Sequence, residues 1–142
     1  MKATTIIYLD FDGVLLPLGG PALDADGRPV RAGNSIPALN RLTSSLPCEL
    51  VVTSTWRLDR SLETLREMLR GWGAETRVSD VTPRLGDRLE EIRAHAAGRP
   101  ECRIVVLDDE VFEAPDHWFV TRPAAHRGLT EADVDDLLRR LG

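Results

Sequence analysis

Three short apolar runs set the rhythm of the chain. Residues 6–9, 50–52 and 104–107 are rich in β-branched side chains and bounded by polar positions, and none alternates as a strand with one wet face would. They predict the central strands of a parallel sheet. Weaker strand signals cover residues 76–81 and 118–121. Between the strands, apolar residues recur at helical spacing over 36–46, 59–69, 86–97 and 130–141. Pro37 falls in the first turn of the first helix, where its missing N–H is tolerated. Gly71 and Gly73 are expected to stop the second helix, and Gly98 and Pro100 the third. Thr130 is the expected N-cap of the last, with Glu131 and Asp133 in the first turn and Arg139 and Arg140 in the last, each complementing the helix dipole. The order βαβαβαβ(β)α predicts an α/β fold with a doubly wound sheet.

Residues 13–35 break this rhythm. They hold Pro17, Gly19, Gly20, Pro21, Gly27, Pro29 and Gly33, and Asp26-Gly27 between Leu23 and Val30 is a hairpin turn signal. A small β-hairpin flap is expected there, beside the end of the first strand. The 142 residues fit one domain, 1–142, with a core that needs no staples. A net charge of -5 disfavours broad, sequence-independent binding to nucleic acid, although a local basic patch is compatible with it. Cys48 and Cys102 lack paired or zinc-type spacing and read as small buried hydrophobes in a reducing compartment. The amino-terminal apolar run is too brief for a signal sequence and no stretch reaches the length of a membrane span, so a cytoplasmic protein without membrane partners is expected.

The strand ends carry the chemistry. The first runs into Asp10-Phe11-Asp12-Gly13, and residues at i and i+2 of an extended segment point to the same side. Two carboxylates sharing one volume repel each other. The pair is tolerable with a divalent cation or a shared proton between them, and useful if one attacks while the other moves a proton. The second strand ends in Thr53-Ser54-Thr55 and the last central strand in Asp108-Asp109. Ligands of an open parallel sheet bind beyond the carboxyl ends of its strands, so these clusters are expected to face one crevice. With magnesium they would position a phosphoryl group, and Arg84 or Arg88, at the start of the third helix, would offset its charge. The bland alternatives are a solvated strand end for Asp10 and Asp12, a loop or helix cap for Asp108-Asp109, helix capping for Ser54 and Thr53, and an exposed helix charge for Arg88. His95, His117 and His126 read as structural or surface residues, and Trp56, Trp72 and Trp118 as core or pocket wall.

The series DFDGVL at 10–15, VVTST at 51–55, an arginine opening the third helix and VVLDD at 105–109 resembles the four motifs of the haloacid dehalogenase (HAD) superfamily of phosphohydrolases. Gly128-Leu129-Thr130, Thr55-Trp56 and residues 88–92 look, more narrowly, like the small HAD domains associated with Swiss Army Knife RNA repair systems. The resemblance implies a HAD-like Rossmannoid three-layer fold without a large cap domain. It implies that Asp10 is a nucleophile forming an aspartyl-phosphate, and that Asp12 protonates the leaving group and then activates water. It implies Mg2+ held by Asp10, the backbone carbonyl of Asp12 and an acid of Asp108-Asp109. The family's hydroxyl falls on Ser54 if Trp56 sets the register, or on Thr53 if the end of the apolar run does. The family's usual lysine is missing, since the only lysine is Lys2; Arg88, or second Arg84, stands in for it.

With the flap as the only insertion, the site is expected to be open to a phosphorylated substrate, a macromolecule such as a nucleic-acid end or phosphoprotein included. A receiver domain is set aside because no lysine occurs late in the chain. A catalytically weak binding or regulatory module with the same fold is the competing reading. Its motif acids would be expected to decay, and here all are present.

Overall fold

In the computed structural model, which describes residues 5–16 and 35–142, the first apolar run becomes β1 (Thr5–Leu9), the central strand of a five-stranded parallel sheet. All of its residues are buried, as a strand covered on both faces requires. β2 (Cys48–Val52) and β4 (Arg103–Leu107) flank it, and β3 (Val78–Val81) and β5 (Phe119–Thr121) complete the order β3-β2-β1-β4-β5. The register levels the strand tips. Leu9 pairs with Val52 and with Leu107, the Thr53 N–H donates to the Leu9 carbonyl (2.9 Å), and the Asp10 N–H donates to the Leu107 carbonyl (3.0 Å).

The helices are α1 (Ser35–Ser45), α2 (Leu62–Trp72), α3 (Arg88–Ala96) and α4 (Glu131–Leu141). The chain moves outward from β1 to β2 to β3 and then crosses back to β4. Right-handed crossovers therefore put α1 and α2 on one face and α3 on the other. Packing follows this division. Ile7, Leu9, Leu50, Val52, Val105 and Leu107 share a core with residues of α1, α2 and α4 such as Leu39, Leu65 and Leu137. On the opposite face Ile6, Tyr8, Val51, Ile104 and Val106 meet Ile92 and Ala96 of α3 and Trp118. The strand alternation that sends Tyr8, Val51 and Val106 toward α3 sends the next residues of that parity, Asp10, Thr53 and Asp108, the same way.

Helix boundaries depart from the sequence pattern at α2. The helix predicted from residue 59 starts at Leu62, because Thr55–Leu58 wind into a short 3-10 turn and Ser61 is the N-cap, accepting from the Thr64 N–H (3.1 Å). Gly71 lies inside α2, which ends at Gly73 with φ 105°, the left-handed conformation that glycine permits. Thr130 caps α4 as predicted, in a reciprocal capping box with Asp133. The flap predicted over 13–35, with its turn at Asp26-Gly27, falls largely on residues 17–34, outside the described residues. Among the described residues no helix is long and apolar enough to cross a membrane. Cys102 is buried, as a small hydrophobe would be, whereas Cys48 is only half-buried.

Candidate active site

Asp10 leaves the tip of β1 almost fully buried, and the chain turns at once. The Phe11 carbonyl accepts from the N–H groups of Val14, Leu15 and Leu16, and Gly13 sits at φ 81°. A Cβ at Gly13 would collide with the Asp109 carboxylate, so the glycine is what lets the β4 loop close onto the β1 turn. The result is a cluster in which Asp10, Asp108 and Asp109 each offer an oxygen within 4.8 Å of the others.

These carboxylates carry unbalanced charge. Burial, then the nearby Asp108 charge, pushes the Asp10 carboxyl up to about 7, although Arg88 pulls the other way. Burial likewise raises Asp108 above the ordinary carboxylate range against the pull of Arg88. A donor set made only of carboxylate oxygens suits a hard divalent cation such as magnesium, and a cation there would return both groups to the charged form. Arg88, in the first turn of α3, bonds Asp108 through Nη1 and lies 3.6 Å from Asp10 Oδ1. Burial works against the guanidinium charge, but Asp108 and Asp10 more than offset it and hold Arg88 protonated. Arg84, the second candidate, is exposed.

Asp12 lies outside the three-carboxylate cluster. The i, i+2 rule holds only along an extended strand, and β1 ends at Leu9, before the turn at Gly13. The Trp56 indole instead donates from Nε1 to Asp12 Oδ2 at 3.2 Å. At the tip of β2, Ser54 and Thr53 are both buried. Ser54 Oγ accepts from the Trp56 N–H (3.2 Å), the capping role that its position allowed. Thr53 Oγ1 has no hydrogen-bond partner among the described residues, and its strand parity is that of Asp10. A buried hydroxyl left this way is one that a bound ligand can satisfy.

Sequence reasoning missed a buried ion pair. Arg57 Nη2 meets Glu91 Oε2 at 2.9 Å. The same guanidinium donates to the carbonyls of Thr53, Ser54, Thr82 and Pro83, tying the tips of β2 and β3 together. Glu91 Oε2 also accepts from the Leu85 and Gly86 N–H groups, and Oε1 lies 3.9 Å from Arg88 Nε. Arg57 and Glu91 therefore hold the loop before α3 and with it the base of Arg88. The one sequence signal was the i, i+3 spacing of Arg88 and Glu91, which puts them on one helix face. His95 is structural, bonded to the Tyr8 hydroxyl and to Asp80 at 2.9 Å each. Trp72 and Trp118 are buried and Trp56 is half-buried.

Residues 6–134 match the family described as HAD domain in Swiss Army Knife RNA repair proteins. No curated protein and no solved structure matches the chain.

Proposed function

The chain belongs to the family of the HAD domain in Swiss Army Knife RNA repair proteins, and on that premise we propose that it is a magnesium-dependent phosphatase acting on a phosphate monoester through a phosphorylated Asp10. The observation that carries this reading is the meeting of Asp10, Asp108 and Asp109 with Arg88 at the tips of β1 and β4.

Asp10, Asp108 and Asp109 would hold the metal, with the Asp12 carbonyl as a further ligand from the motif. Bound there, magnesium would offset the negative charge that carboxylates and phosphoryl oxygens bring together. The Asp10 carboxylate attacks phosphorus and forms an O–P bond as the ester P–O bond breaks. The leaving oxygen keeps that bond's electron pair and takes the proton of the Asp12 carboxyl. Asp12, now a carboxylate, takes a proton from the water that attacks phosphorus, the Asp10–phosphorus bond breaks, and phosphate departs with both side chains restored. Arg88 keeps a positive charge beside the reacting group, and the hydroxyl of Thr53 or Ser54 donates to a phosphoryl oxygen.

The family's association with RNA repair makes a terminal phosphate of a nucleic acid the substrate class to test first. The test is a panel of nucleotides, sugar phosphates, an aryl phosphate and oligonucleotides ending in phosphate, each with magnesium and with excess chelator. Magnesium-dependent release of phosphate that Asp10→Asn abolishes is the expected result. No hydrolysis of any ester would favour a binding or regulatory module with the same fold.

A further inference from the structure

Building on the phosphatase reading, we infer that Trp56 is the positioning residue for Asp12, fixing the carboxyl that exchanges the proton with the leaving group and with water. Asp12 stands half-buried on a turn, outside the carboxylate cluster, so neither strand geometry nor that cluster orients it. The Trp56 indole can only donate, and it spends its N–H on Asp12 Oδ2 at 3.2 Å. That bond occupies one oxygen and selects one side-chain rotation, which leaves Oδ1 for the proton.

The donor is itself rigid. Edge-on contacts with Phe11 at 5.6 Å and Trp72 at 5.8 Å fix the ring, and the Arg60 guanidinium covers it at 4.8 Å. Its backbone is set by the Ser54 cap of the 3-10 turn, directly after the tip of β2. Packing accounts for the ring contacts, and the N–H on Asp12 Oδ2 is a polar contact beyond them that a phenyl ring would lack. Placing a proton-transfer group to a fraction of an ångström is where such support matters most.

Leaving-group dependence separates positioning from packing. The quantity to read is kcat/KM, which covers steps up to phosphoryl transfer to Asp10. An alkyl phosphate needs its leaving oxygen protonated, whereas a dinitrophenyl phosphate does not. Trp56→Phe should therefore lose roughly tenfold more kcat/KM on the alkyl ester than on the dinitrophenyl ester, and adding it to Asp12→Asn should cost little further. With Trp56 intact, Asp12→Asn should also move the Trp56 indole N–H resonance, identified by its disappearance in Trp56→Phe. Equal losses on both esters, additive losses in the double variant, or an unmoved indole resonance would each overturn the inference while leaving the phosphatase reading in place. A wild-type protein that hydrolyses neither ester in magnesium would overturn that reading and the role of Trp56 with it.

Discussion

Arg57 and Glu91 form an ion pair closed off from solvent, Nη2 to Oε2 at 2.9 Å with side chains 3% and 7% exposed, and it joins the tips of β2 and β3 to the first turn of α3. Each partner has further bonds, Arg57 to four backbone carbonyls and Glu91 to two backbone N–H groups, so neither charge is left with the other as its sole compensation. Removing one partner strands the other in the interior. Arg57→Met is expected to cost about 3–5 kcal/mol in denaturant unfolding. Breaking the exposed pair of Arg41 with Glu131 should cost under about 1 kcal/mol. Similar small losses in both would mean that the Arg57 clamp is not a structural pivot.

Arg88 lies between Asp108 and Asp10. Arg88→Met should lower kcat/KM for an aryl phosphate by roughly 10²-fold or more, since it removes the fixed cation beside the transferring group. Arg88→Lys keeps the charge but loses the planar fork, and should recover part of that loss. The same pair at Arg84, which is exposed, should change the rate little. A larger effect at position 84 than at 88 would reassign the cation.

Much of this was legible in the sequence because the decisive signals were local. Residues 6–9 and 104–107 are unbroken apolar runs because both faces of the sheet are covered, and the acids follow where each run ends. Thr130 was legible as a cap because the hydroxyl and Asp133 stand three residues apart. The start of α2 was not, since residues 59–61 follow the 3-10 turn as a non-helical link that ends in the Ser61 cap, and the apolar spacing does not mark that link. Arg57 with Glu91 leaves no periodic trace, because a buried pair across 34 positions is fixed by tertiary packing alone. The bond from Trp56 to Asp12 was hidden for the same reason.

Gly13 tests how the β1 turn and the β4 loop depend on each other. It has φ 81°, and a Cβ there would meet the Asp109 carboxylate. Gly13→Ala should destabilise the fold by more than about 1 kcal/mol and weaken magnesium binding measured by calorimetry. Unchanged binding would show that Asp109 is not needed for the ion.

The pH dependence of stability follows from Asp10. Its carboxyl, ordinarily near 3.8, is raised to about 7 in the metal-free fold, so the folded chain binds this proton more tightly than the unfolded chain. Its contribution to stability is complete below the lower value and is lost as pH rises through the upper one. Metal-free Asp10→Asn should therefore be more stable than wild type at about pH 8, with the gap closing toward about pH 4. Magnesium should stabilise wild type more at the higher pH. A constant gap across this range, followed by thermal unfolding, would contradict the burial-driven shift.

If Asp10 takes the phosphoryl group, a covalent aspartyl-phosphate forms at that position during turnover. Reduction with borohydride during turnover of an aryl phosphate in magnesium converts an aspartyl-phosphate to homoserine, which mass spectrometry of the digested protein locates by residue. Homoserine is expected at position 10, dependent on substrate and magnesium and accumulating in Asp12→Asn, where the intermediate outlives its formation. Turnover with an unmodified Asp10, or homoserine at Asp12, Asp108 or Asp109 instead, would contradict that role for Asp10.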